Sequence, residues 1–120
     1  MVHTIIDPHA HIIPQREPVW GWGPNFTVDR LLAMMDRDYD ILGETRHVAK
    51  AVVMTGLGLT SVEHRTMAEA HKYALASVKQ HADRLYLNPV INPRAYVPDQ
   101  LYQIRDWKTE YNVRMLKIHP

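Results

Sequence analysis

The chain of 120 residues contains no cysteine. That excludes disulfides, thiolate metal sites and a cysteine nucleophile, and leaves the redox compartment open. A charge bias is also missing: 14 Lys and Arg stand against 13 Asp and Glu, a formal net of +1. With no basic run, neither nucleic acid nor a membrane surface is expected as a partner. No stretch approaches the ~20 apolar residues of a membrane span. The first residues lack the basic n-region of a signal peptide, so a cytoplasmic location is the expectation. Internal repeats, low-complexity tracts and flexible linkers are absent too. What is present suits an ordinary soluble globular domain, and the length suggests one domain. The one unusual count is eight histidines.

A strand followed by a helix recurs three times, and a fourth strand closes the series. The first strand is Thr4-Ile5-Ile6-Asp7, ended by Pro8, and a Pro- and Gly-containing loop from Ile12 to Asn25 carries Trp20 and Trp22. Helix one is expected to start at the N-cap Thr27, with Val28, Leu31, Leu32 and Met35 on one face, and to stop at Gly43. Strand two is Ala49 to Thr55. Helix two opens with the capping-box pair Thr60 and Glu63 and runs to about His81, with Met67, Ala70, Ala74 and Val78 in a stripe. Strand three runs from Leu85 to Ile91 and ends at Asn92-Pro93. Helix three tolerates Pro98 in its first turn and carries Leu101, Ile104 and Tyr111, and strand four is Val113 to Ile118. This order predicts right-handed βαβ units and a parallel sheet of the α/β class. A flavodoxin-like or Rossmann-like sheet is compatible with that order, yet no Gly-x-Gly-x-x-Gly or phosphate loop comes after strand one.

Strand one runs instead into Asp7-Pro8-His9-Ala10-His11. In extended chain alternate side chains share a face, so His9 and His11 project together with Asp7 below them. Two imidazoles at this spacing can hold one divalent metal, and neutral imidazole suits Zn, Fe, Mn or Ni. Asp7 can orient a ligating histidine, or equally cap the backbone at the turn. Spacing alone is a weak signal in a chain so rich in histidine. The position strengthens it, because ligands bind at the carboxyl ends of strands in open α/β sheets and in barrels.

The run from Thr4 to Pro14, Thr-Ile-Ile-Asp-Pro-His-Ala-His-Ile-Ile-Pro, resembles the first strand of the amidohydrolase superfamily, whose hallmark is His-x-His at the end of strand one. The aromatic loop after the histidines, the segment from Asp83 to Pro93, and Val113-Arg-Met-Leu-Lys-Ile-His-Pro120 extend that similarity over the whole chain. They resemble the amidohydrolase-related branch that includes aminocarboxymuconate semialdehyde decarboxylase. The resemblance implies a (β/α)8 barrel of TIM type with a divalent metal, usually zinc, with Mn or Fe as alternatives. His9 and His11 would be metal ligands. The family completes such a pair with histidines from strands five and six and an aspartate from strand eight, and takes its general base from later strands. A barrel of this kind needs ~250 residues, so residues 1–120 are expected to supply its N-terminal half, about four strands and three helices.

Strand four adds an expectation of its own. Leu116 and Ile118 share one parity and should pack on outer helices, which turns Lys117 and His119 towards the site. Either is suited to polarising a substrate carboxylate, while an ion-paired or snorkelling lysine is the plain structural alternative. Trp20 and Trp22 are suited to a substrate wall or to a partner contact, and Arg16 to a carboxylate or simply to solvent. His47, His64, His71 and His81 read as surface residues, Met34 and Met35 as core, and Trp107 as packing or interface.

The function these residues and the resemblance suggest is metal-dependent hydrolysis of an amide, ester or lactone in a small molecule. Non-oxidative decarboxylation of a small aromatic or unsaturated carboxylate, a lyase reaction, is the alternative. A half-barrel with no activity of its own, completed by self-association or by a C-terminal half, is a different class of reading. An α/β binding module with fortuitous histidines is another.

Overall fold

The computed structural model describes residues 4–14, 26–55 and 67–118. Its elements in chain order are β1 (Ile5–Ile12), α1 (Val28–Met35), β2 (Tyr39–Ile41), β3 (Glu44–Arg46), β4 (Val48–Thr55), α2 (Met67–Gln80), β5 (Leu85–Leu87), β6 (Val90–Ile91), α3 (Val97–Glu110) and β7 (Lys117–Ile118). Strand β4 lies between β1 and β5, all parallel, and β6 pairs in parallel with β7. Within these parallel sheets neighbours follow one another in chain order, β1-β4-β5 and β6-β7, while the remaining described strands, β2 and β3, pair antiparallel. The described strands form no closed barrel.

Burial explains why β4 is central. Ala51, Val52, Val53 and Met54 are all buried, as a parallel strand covered on both faces requires. Ala10 and Ile12 of β1, Ala51 and Val53 of β4, and Leu85 and Leu87 of β5 share one core with helix residues Met35, Ala74, Val78, Ile104 and Trp107. Small residues on α2 let it sit close to the sheet, and the Thr55 hydroxyl donates to the Ala70 carbonyl at 2.9 Å. Arg84 fastens the other end of the sheet. Its guanidinium donates to the carbonyls of Val48 and Ala49 and pairs with Asp36 at 2.7 Å, joining the starts of β4 and β5 to the end of α1.

Helix α1 starts as expected, with the Thr27 hydroxyl accepting from the Arg30 amide at 3.4 Å. It ends at Met35, though, not at Gly43. Residues 39–46 form an antiparallel hairpin whose two-residue tip is Leu42-Gly43, with φ of 53° and 80°. Such a turn demands positive φ at both tip positions, which glycine accepts freely. Leucine there costs about 1 kcal/mol. The apolar spacing of helix one stops at Met35, and the Asp36–Asp40 segment is too polar to continue it.

The other strand boundaries also shift. Strand β1 continues through Pro8 to Ile12, because one extra residue is absorbed in a bulge: Asp7 to Ala10 spans three steps opposite the two from Ala51 to Val53. Asn88-Pro89 divides the expected third strand into β5 and β6. The third strand still ends at Asn92, where Gln100 clasps the backbone by accepting from the Asn92 amide and donating to its carbonyl, both at 2.8 Å. The fourth strand shrinks from Val113–Ile118 to Lys117–Ile118. Leu116 and Ile118, expected to pack on helices, are 43% and 60% exposed. Met34 and Leu101 are exposed as well, while Met35 and Trp107 are core residues.

Candidate metal centre

Strand β1 delivers His9 and His11 to the carboxyl end of the sheet, where His11 pairs in register with Met54 and Ile12 with Thr55, the last residue of β4. Since Ala10 and Ile12 enter the helix-side core, the two histidines between and beside them face the other way. Their Nε2 atoms converge to 3.0 Å, with ring centroids 5.0 Å apart and planes tilted by 59°. At that distance the two rings hydrogen-bond to each other, and the same convergence places both nitrogens where one ligand could be shared.

A backbone carbonyl decides which nitrogen of His11 is left for that position. His11 Nδ1 lies 3.2 Å from the Thr55 carbonyl oxygen. The oxygen only accepts, so Nδ1 carries the proton and the Nε2 lone pair points to His9. Metal-bound histidines are held by this same device, a second hydrogen bond that sets tautomer and ring orientation. Burial pushes the His11 pKa below its ordinary value; the Thr55 hydrogen bond opposes that, and the charges of His9 and Lys117 add to it. The net effect favours the neutral ring.

Asp7 resolves to the capping role. Its carboxylate accepts from the His9 backbone amide at 2.9 Å, so it holds the bulge rather than an imidazole. The bulge also breaks the strict alternation that would have set Asp7 directly beneath the pair. Lys117 is half-buried on β7, its amide donating to the Pro89 carbonyl at 2.8 Å, and its charge acts on His11. Arg16, Trp20, Trp22 and His119 lie outside the described residues, as do Thr60, Glu63 and His64.

Among the described residues no group of three His, Cys, Asp or Glu converges. His9 and His11 therefore present two nitrogen donors of the right chemistry for zinc, manganese or iron, and a four-coordinate ion needs further donors. The donor set fits such an ion as part of a site.

One contributor to the site and one structural histidine were invisible to sequence reasoning. The Thr55 carbonyl is a backbone group and leaves no side-chain signal. The other is His71, expected on the surface and found 1% exposed. Its Nδ1 donates to the Met67 carbonyl and its Nε2 accepts from the Val90 amide, both at 2.9 Å, and its ring lies 5.3 Å from that of Trp107. Only its place in the buried Ala70-His71-Ala74 stripe of α2 hinted at this. His47 is exposed as expected, and His81 is half-buried.

No family model, curated protein or solved structure matches this chain. No helix among the described residues is long and apolar enough to cross a membrane.

Proposed function

We propose that His9 and His11 are the first ligand pair of a metal-dependent hydrolase of the amidohydrolase type, built on a (β/α)8 barrel to which residues 1–120 contribute the N-terminal half. The observation that carries this reading is the 3.0 Å convergence of the two Nε2 atoms, with His11 held from behind by Thr55. The parallel, chain-order pairing of β1, β4 and β5, and of β6 with β7, supports the fold part of the reading.

A bound zinc, or manganese or iron in its place, supplies a water whose pKa is lowered from ~16 towards ~7, and so a nucleophile for an amide, ester or lactone. The chain's own residues then have three tasks. His9 and His11 present imidazole nitrogen donors. Thr55 and Asp7 hold those donors in position through the ring of one and the backbone of the other. Lys117 places a positive charge within Coulombic reach of His11, suited to holding the carboxylate of a small substrate. The general base and the remaining ligands come from a C-terminal half or from another copy in a homo-oligomer. Lys117 favours a second reading, non-oxidative decarboxylation, because a carboxylate held beside a cation is what that reaction must bind.

Elemental analysis of the purified chain after zinc loading and gel filtration tests the assignment. Partial retention of zinc is expected, since two of four donors hold an ion weakly, and His9→Ala and His11→Ala should each abolish it. Unchanged zinc in both variants removes the pair as ligands and leaves the binding-module reading standing. Turnover of esters and lactones against release of carbon dioxide from unsaturated carboxylates, measured on the metal-loaded protein, separates the two chemistries.

A further inference from the structure

Two surface features of the chain complement each other. One is the β2–β3 hairpin. Its tip residue Leu42 is 99% exposed in a backbone conformation that leucine adopts at a cost, with Ile41 exposed beside it. Asp40 and Glu44 flank the tip and are exposed. The hairpin is held in shape from within: the Asp40 carboxylate accepts from the Gly43 amide at 3.1 Å, and Glu44 pairs with Arg46. A stiff apolar tip between two acids is poor design for a surface facing only water.

The other feature is a groove of about 300 Å³ between α3 and the segment leading into β7. Ile104, Met115 and Leu116 contribute apolar lining, and Arg105, Lys108 and Arg114 supply its cations. Arg105 is fixed by stacking over the Tyr102 ring, 4.3 Å from its centroid. The hairpin offers an apolar tip with acidic shoulders, and the groove an apolar floor with basic shoulders.

We propose that the Ile41-Leu42 tip of one chain seats in the α3 groove of a second copy, Asp40 and Glu44 meeting Arg105, Lys108 and Arg114. Exchanged reciprocally about a two-fold axis, the contact closes into a dimer and does not propagate. The dimer does not depend on metal binding, so either reading can fail without the other.

Sedimentation equilibrium of the 120-residue chain, from micromolar to near-millimolar concentration, reads the association. A monomer–dimer equilibrium that weakens with added salt is expected. Leu42→Gly suits the turn better, so its melting temperature should rise while its dimer Kd weakens roughly tenfold or more. Arg105→Glu combined with Lys108→Glu should weaken the dimer similarly, and adding Glu44→Lys to that variant should restore part of the loss. His9→Ala with His11→Ala should leave the equilibrium unchanged. A chain that stays monomeric throughout, or a dimer indifferent to both Leu42→Gly and the charge reversal, overturns the proposal.

Discussion

His11 and His71 are the same side chain put to opposite uses. Each has its Nδ1 bonded to a backbone carbonyl, Thr55 in one case and Met67 in the other. The difference lies at Nε2. In His71 it accepts the Val90 amide, which consumes the lone pair inside the fold. In His11 it meets the Nε2 of His9 at the end of the sheet. Burial follows the same division, since His71 is enclosed and His11 only half so. A histidine whose second nitrogen meets another side chain at the rim of the sheet can exchange that partner for a ligand, whereas one whose two nitrogens are both bound to enclosed backbone is a structural strut.

Replacing each ring should expose that contrast most sharply in stability. His71→Ala leaves the Val90 amide and the Met67 carbonyl without their partner and opens a cavity beside Trp107. A loss of about 3 kcal/mol or more is expected in urea unfolding. His11→Ala should stay within about 1 kcal/mol of the parent in the absence of metal. Equal losses in the two variants would erase the distinction.

Acid should act through the strut. Burial lowers the His71 pKa to about 4, from an ordinary value of 6.5. The unfolded chain therefore takes up a proton in a range where the folded one does not. The associated stabilisation is full above pH 6.5 and is lost as pH falls towards 4, by roughly 3 kcal/mol across that window. His71→Ala should flatten the pH dependence there, as denaturation at several pH values will read; an unchanged slope would mean that another group carries it.

The smallest effect probes the support behind the ligand pair. Asp7→Ala removes the acceptor of the His9 amide and should cost about 1 kcal/mol of stability. Because the bulge sets where His9 stands, zinc affinity should fall roughly tenfold in a competition titration. Zinc affinity equal to that of the parent would show that the strand holds the pair without Asp7.

Much of the frame was legible. Thr27, with the Val28–Met35 spacing behind it, announces α1, and the unbroken apolar run Ala51–Met54 announces a strand covered on both sides. The His9–His11 pair was legible because alternation along a strand is a local rule that survives folding. The hairpin was not: nothing in Tyr39–Arg46 alternates clearly, and Leu42 at a positive-φ tip replaces the Asn-Gly signal that marks such turns. The division of the third strand at Asn88-Pro89 was hidden within an apolar run. The exposed Leu116 and Ile118 defeat a parity argument that assumed a covering helix on their side.

By itself the sequence located the three helices and the main parallel strands, and placed two imidazoles on one face at a strand's carboxyl end. Those properties come from period and residue type, which act over a few residues. Tertiary structure alone decided that Thr55, 44 positions along the chain, selects the tautomer of His11. It also turned Asp7 to the backbone, brought the charge of Lys117 to bear on His11, and enclosed His71. Each of these depends on which distant backbone group arrives within hydrogen-bonding or Coulombic reach, and packing of the whole sheet sets that distance.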